Sequence, residues 1–151
     1  MTISIERVSH VQMDIGYGTW TPALQFGGAA VGMTTSDASG IYVKHGRIVF
    51  VKGHITLTAK GSSTGNVTIA GLPYSAITFG SLPTTQPCGL CPTYNNLTGI
   101  TSYTNAPLGL RVSGSSLFVY AYNATDSSQL QSGNFTDTSR LWFDASYIVA
   151  E

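Results

Sequence analysis

The chain has 151 residues and no formal net charge, with seven basic side chains against seven acidic ones. Only 9% of it is charged, against roughly 25% in ordinary globular proteins, and 17 Ser and 19 Thr stand where charges would be. The length suits one domain with a real core. The charge balance argues against nucleic acid, which needs a basic footprint. A hydrophobic fraction of 42% argues against disorder, and no apolar run approaches the length of a membrane span.

The N-terminus, Met1 to Val8, lacks a basic start followed by an apolar run, so it reads as made in a cytoplasm without a Sec signal. Residues 1–16 read as a lead-in from an upstream region, with Ile3, Ile5 and Val8 making it sticky, and residues 17–151 read as the domain. From Gly18 onward Gly, Pro and Asn clusters break the chain every 8–14 residues, and no long helical period survives between them. Thr19 to Phe26 reads as one strand. Ile41 to Lys44 and Arg47 to Lys60 read as a hairpin around His45-Gly46. In its second arm Val49, Val51, Gly53, Ile55 and Leu57 share a face, the alternation of a half-buried strand. Asn66 to Ala70 follows, then a hairpin of Leu108 to Val112 and Leu117 to Tyr122 around Ser113 to Ser116. Arg140 to Val149 closes the chain, with Leu141 and Phe143 facing one way and Trp142 and Asp144 the other. Six to nine short strands at this spacing indicate an all-β fold, an antiparallel β-sandwich of the jelly-roll kind.

Several apparent motifs lack the context their chemistry needs. Cys88-Gly-Leu-Cys91 has redox or zinc spacing, but there is no second cysteine pair and Pro87 and Pro92 suggest a turn rather than a helix start. The expectation is structural thiols or a local disulfide. Gly61-Ser-Ser-Thr-Gly65 matches a nucleophile elbow, but strands flank it and no histidine follows His54. Asp126 and Asp137 could form a glycosidase pair, yet turn-forming acids that bond their own backbone are the simpler reading. His10, His45 and His54 are isolated. No catalytic residue, metal site or cofactor is expected.

A surface poor in charge and rich in Tyr, Asn, Ser and Thr suits sugars, whose apolar faces stack on aromatic rings while hydroxyls pair with amides. The candidates are Tyr94, Asn95, Asn96 and Tyr103, then Tyr122, Asn123 and Asp126.

Gly18-Thr-Trp-Thr-Pro22, Leu24-Gln-Phe-Gly-Gly28, Gly40-Ile-Tyr-Val-Lys-His-Gly46, Ile55 to Gly65 and Ile69-Ala-Gly-Leu-Pro-Tyr74 stand in a particular order. They are followed at the C-terminus by Thr138 to Tyr147. Together they resemble the C-terminal domain of tailed-bacteriophage tail fibres and tailspikes, over about residues 18–147 and most specifically over 18–74. Asp144-Ala145 departs from the Ser-Gly of that pattern, a change a strand accepts. The resemblance implies a homotrimeric β-sandwich at the distal tip of a virion fibre. It also implies binding of host capsule or lipopolysaccharide glycan, trimer assembly, or both, and possibly association with a longer copy of the same fibre protein. The alternative it implies is a purely structural trimerisation and folding module, with catalysis in an upstream domain. The quoted blocks fall on glycines and core positions and carry over no sugar site.

Overall fold

The computed structural model describes residues 14–78, 80, 84–100, 107–122 and 125–150. Among them the chain is antiparallel β-sheet with one 3-10 turn, Ser132–Asn134, and no α-helix. The strands are β1 (Ile15–Trp20), β2 (Ala23–Phe26), β3 (Thr34–His45), β4 (Ile48–Ala59), β5 (Val67–Ala70), β6 (Gln86–Leu97), β7 (Leu108–Ser113), β8 (Ser116–Tyr122), β9 (Ser127–Gln129) and β10 (Phe135–Ile148). They join in the order β1-β3-β4-β10-β6-β7-β8-β5-β2, with β9 beside β8. The two ends of this path, β1 and β2, are separated in the chain only by Thr21 and Pro22. The sheet therefore has to curl until its ends meet. Phe26 of β2 packs on Phe135 of β10 at 5.3 Å between ring centroids, and one core collects Val49, Ile55, Leu110, Val119 and Phe143 from across the sheet.

The expected strand from Thr19 to Phe26 is two strands. Pro22 has no N–H to donate to a ladder, and at that point the chain passes from one end of the sheet to the other. Both hairpins fold where expected, with Gly46 at φ 57° and Gly114 at φ 55° supplying the left-handed residue of each turn. The Arg140 strand begins earlier, at Phe135.

The blocks at Gly18 and Gly40 have a common physical meaning. β1 and β3 run antiparallel with Gly18 opposite Tyr42 and Trp20 opposite Gly40. Each strand thus carries glycine, one spacer and an aromatic ring, and each ring lies over the other strand's glycine. A Cβ on Gly18 would sit 2.9 Å from Tyr42 Cε1. The row continues inward, because Gly40 pairs with Gly53 and Gly53 with Phe143. A Cβ on Gly53 would sit 2.8 Å from Phe143 Cζ. Trp20 and Phe143 meet edge to face over this double glycine at 6.0 Å, and Trp20 Nε1 donates to the Lys52 carbonyl at 3.3 Å.

The expected turn at Cys88 to Cys91 is instead the middle of β6. Both prolines stand at register irregularities, where ladder donors are not needed. One falls between Pro87 and Gly89 opposite β7. The other places Leu90 opposite Asp144 but Thr93 opposite Trp142, so β6 carries one extra residue there. An extra residue reverses which side chains face inward, and that reversal decides the position of Tyr94.

The glycine-serine loop is a clasp. Val31 N–H donates to Ser63 Oγ at 2.8 Å, and Ser62 N–H donates to the Val31 carbonyl at 2.9 Å. The Ser63 hydroxyl thus accepts from backbone here.

Candidate functional site

In antiparallel pairs, residues opposite one another point to the same side. The register therefore lays out the outer face of β1, β3, β4, β10 and β6 in rows. At one end stand Ile15, His45, Ile48 and Ile148, and beside them Tyr17, Val43, Phe50 and Ser146. The middle row is Thr19, Ile41, Lys52, Asp144 and Leu90. The next holds Ser39, His54, Trp142 and Thr93, and the last holds Asp37, Thr56, Arg140 and Asn95. The face is thus graded along its strands, apolar at one end and polar at the other.

The apolar end is open to solvent. Tyr17 is 81% exposed, Ile15 59% and Phe50 53%, with Val43, Ile48 and Ile148 close behind. These six residues expose on the order of 700 Å², which exceeds the few hundred Å² usual for a patch on a monomer and is close to one partner's share of a standard interface.

The polar end holds a groove of about 640 Å³, lined by Thr19, Thr21, Ser39, Ile41, Lys52, His54, Pro92, Trp142 and Asp144, with backbone at Gly40 and Gly53. The Trp142 indole lies nearly parallel to the His54 ring, 17° apart with centroids at 6.4 Å. His54 Nε2 is 2.6 Å from Asp37 Oδ2, an imidazole N–H donating to a carboxylate. That hydrogen bond holds the Asp37 carboxyl below its ordinary value, with burial opposing it. The pair therefore persists at pH values where an isolated aspartate would already take up a proton, and it opens only as pH falls further. Lys52 and Asp144 stand opposite each other across β4 and β10 in the middle of the groove. A second hollow, between Phe50, Cys88 and Leu90, adjoins the same Lys52 and Asp144.

The residues expected to bind sugar do not gather here. The β6 bulge turns Tyr94 inward, opposite Leu141 and against the core, so it offers no stacking platform. Asn96, at φ 58°, is locked by Nδ2 bonds to the Thr138 carbonyl and hydroxyl, both 3.0 Å. Tyr122 lies over Gly109 and accepts from Arg111 Nε at 3.1 Å, while the Arg111 guanidinium sits 4.1 Å from the Tyr120 ring centre. Asp126 accepts the Ser127 N–H at 2.7 Å, the local backbone bond expected of a turn acid. Asp137 departs from that expectation, because it accepts the N–H of Lys60, 77 positions away, at 2.8 Å. Tyr103 and Asn123 lie outside the described residues. Asn95 alone of the described candidates stands on the outer face, in the row beyond the groove. The groove's own aromatic, Trp142, was visible in the sequence as the outward residue between Leu141 and Phe143. His54 and Asp37 carried no such signal.

Both cysteines are free thiols in or against the core, and burial pushes each up to about 12. Burial raises the Tyr147 phenol as well. Raised acids remain protonated in the folded chain and ionise more readily in the unfolded one. Their contribution is complete below the ordinary thiol value of 9.0 and is lost as pH climbs toward 12. Over that window each thiol lowers stability by about 1.4 kcal/mol per pH unit. Urea unfolding midpoints should fall steeply between pH 9 and 10.5, and less steeply in the Cys88→Ala/Cys91→Ala double variant, as circular dichroism titrations will read.

No protein-family model matches the chain, and no curated protein matches it.

Proposed function

We propose that this chain is the C-terminal module of a phage tail fibre or tailspike, a β-sandwich of the jelly-roll kind. In this reading it assembles as a homotrimer at the virion tail tip and binds host surface saccharide. The observation that carries the reading is the graded outer face, whose apolar end has the size and composition of an interface and whose polar end has a groove lined by Trp142. A single face thereby serves both roles, with the outermost apolar row at Ile48 and the Trp142 row at His54 lying six residues apart along β4, roughly 20 Å. Low charge and many hydroxyls suit a rigid virion part, and the ordered glycine blocks fit the resemblance. The reading assigns no catalytic step to the chain. Asp126 and Asp137, the carboxylates considered for glycosidase work, are both bonded to backbone N–H groups.

The apolar end by itself also favours the narrower reading, a trimerisation and folding module without a ligand. An array of capsular and lipopolysaccharide fragments, probed with the assembled protein, separates the two. Saturable binding to at least one fragment is expected. A blank array from a stable trimer would leave only the assembly role.

A further inference from the structure

We infer that the groove of β1, β3, β4 and β10 is a saccharide site in which Trp142 is the platform for the apolar face of a sugar ring. The inference rests on the saccharide-binding reading above and gives that reading a location it otherwise lacks.

The groove volume falls within the 300–1,000 Å³ usual for small-ligand sites. Trp142 is 37% exposed at its margin. It is also braced, because its indole stacks on His54 and His54 is held by Asp37. An aromatic surface fixed in advance loses little rotamer freedom when a ligand settles on it. Ile41 adds a second apolar wall, while Thr19, Thr21 and Ser39 bring hydroxyls that both donate and accept.

The charged groups choose among occupants. Lys52, Asp144 and His54 line the groove, and His54 is held from behind by Asp37. An apolar side chain from another protein would strip water from these groups and return no hydrogen bonds, at a cost of several kcal/mol. A phosphate or nucleic-acid strand would meet the Asp144 carboxylate. A ring with one apolar face and a rim of hydroxyls satisfies both halves of the lining, since its hydroxyls donate to Asp144 and accept from Lys52 while its C–H face covers the indole. Trp142 and His54 lie two rows from Tyr17 and Phe50, with Ile41 and Lys52 between them, so assembly through Tyr17 and Phe50 leaves the Trp142 side of the groove accessible.

The test is calorimetric titration of the assembled full chain with methyl glycosides of glucose, galactose, mannose, rhamnose and N-acetylglucosamine, and with delipidated lipopolysaccharide oligosaccharides. Trp142→Ala should weaken the best probe at least tenfold, and Trp142→Phe should recover most of that loss. Thermal unfolding of Trp142→Phe should stay close to that of the parent, and circular dichroism should show Trp142→Ala still folded at the titration temperature. Binding that survives Trp142→Ala undiminished overturns the groove site and leaves the saccharide reading standing. Binding of no probe by the parent overturns the site and the saccharide half of the function together. The assembly half is read separately, from particle mass.

Discussion

Gly40→Ala should destabilise the fold by about 3 kcal/mol, at the upper end of what an inserted core methyl costs. The added methyl would overlap Trp20 Nε1 and come within 2.6 Å of the Lys52 carbonyl oxygen. Trp20 cannot swing away cheaply, because its Nε1 already donates to that carbonyl and its ring is fixed edge to face against Phe143. Moving the carbonyl means opening the β3–β4 ladder beside Gly53. Two other glycines set the scale. Gly46 has open space around its Cβ position but a φ of 57°, so alanine there should cost about 1 kcal/mol from backbone strain alone. Gly133 has open space and no such φ, so alanine there should fall within about 0.5 kcal/mol of the parent. Denaturant midpoints should rank the three as Gly133, Gly46, Gly40. Equal losses at Gly40 and Gly46 would mean that the paired glycine-aromatic rows are incidental to the fold.

The second large effect concerns assembly. Tyr17→Lys with Phe50→Lys should weaken self-association about a thousandfold, since each tenfold is 1.4 kcal/mol and two ammonium groups in an apolar contact exceed that several times over. The two side chains belong to one row across β1, β3 and β4, joined through Val43. In a single chain both are well exposed, so the same substitutions should change monomer folding by no more than about 0.5 kcal/mol. The predicted signature is a drop in particle mass with an unchanged far-ultraviolet spectrum. Loss of the spectrum as well would assign these residues to the fold of the chain.

Legibility in the sequence followed the range of the interaction. Gly46 and Gly114 act within their own turns, and the alternation of Val49 to Leu57 acts within one strand, so both hairpin arms and their buried faces could be read directly. The outward placement of Trp142 followed from the same alternation in Leu141-Trp142-Phe143. β6 was hidden because Pro87 and Pro92 are strong turn signals, and only its neighbours β7 and β10 show that both stand at bulges. The second bulge then sent Tyr94 inward, against an alternation counted straight through. Trp20 and Gly40 could be read as conspicuous residues, but their mutual contact depends on a register that neither strand specifies alone. The trio of Asp37, His54 and Trp142 comes from three strands, the last 88 positions from His54. No local pattern brings those residues together. The order of the sheet does so, by placing β4 between β3 and β10.

The central claim is that the exposed apolar end of the sheet is the surface through which copies of this chain associate. Light scattering on the size-separated protein at roughly 100 μM, where specific self-association should be saturated, tests it most directly. The account predicts a single species of about three times 15.9 kDa, shifting to the mass of one chain in the Tyr17→Lys/Phe50→Lys variant. A parent protein that elutes at the mass of one chain under those conditions would contradict it.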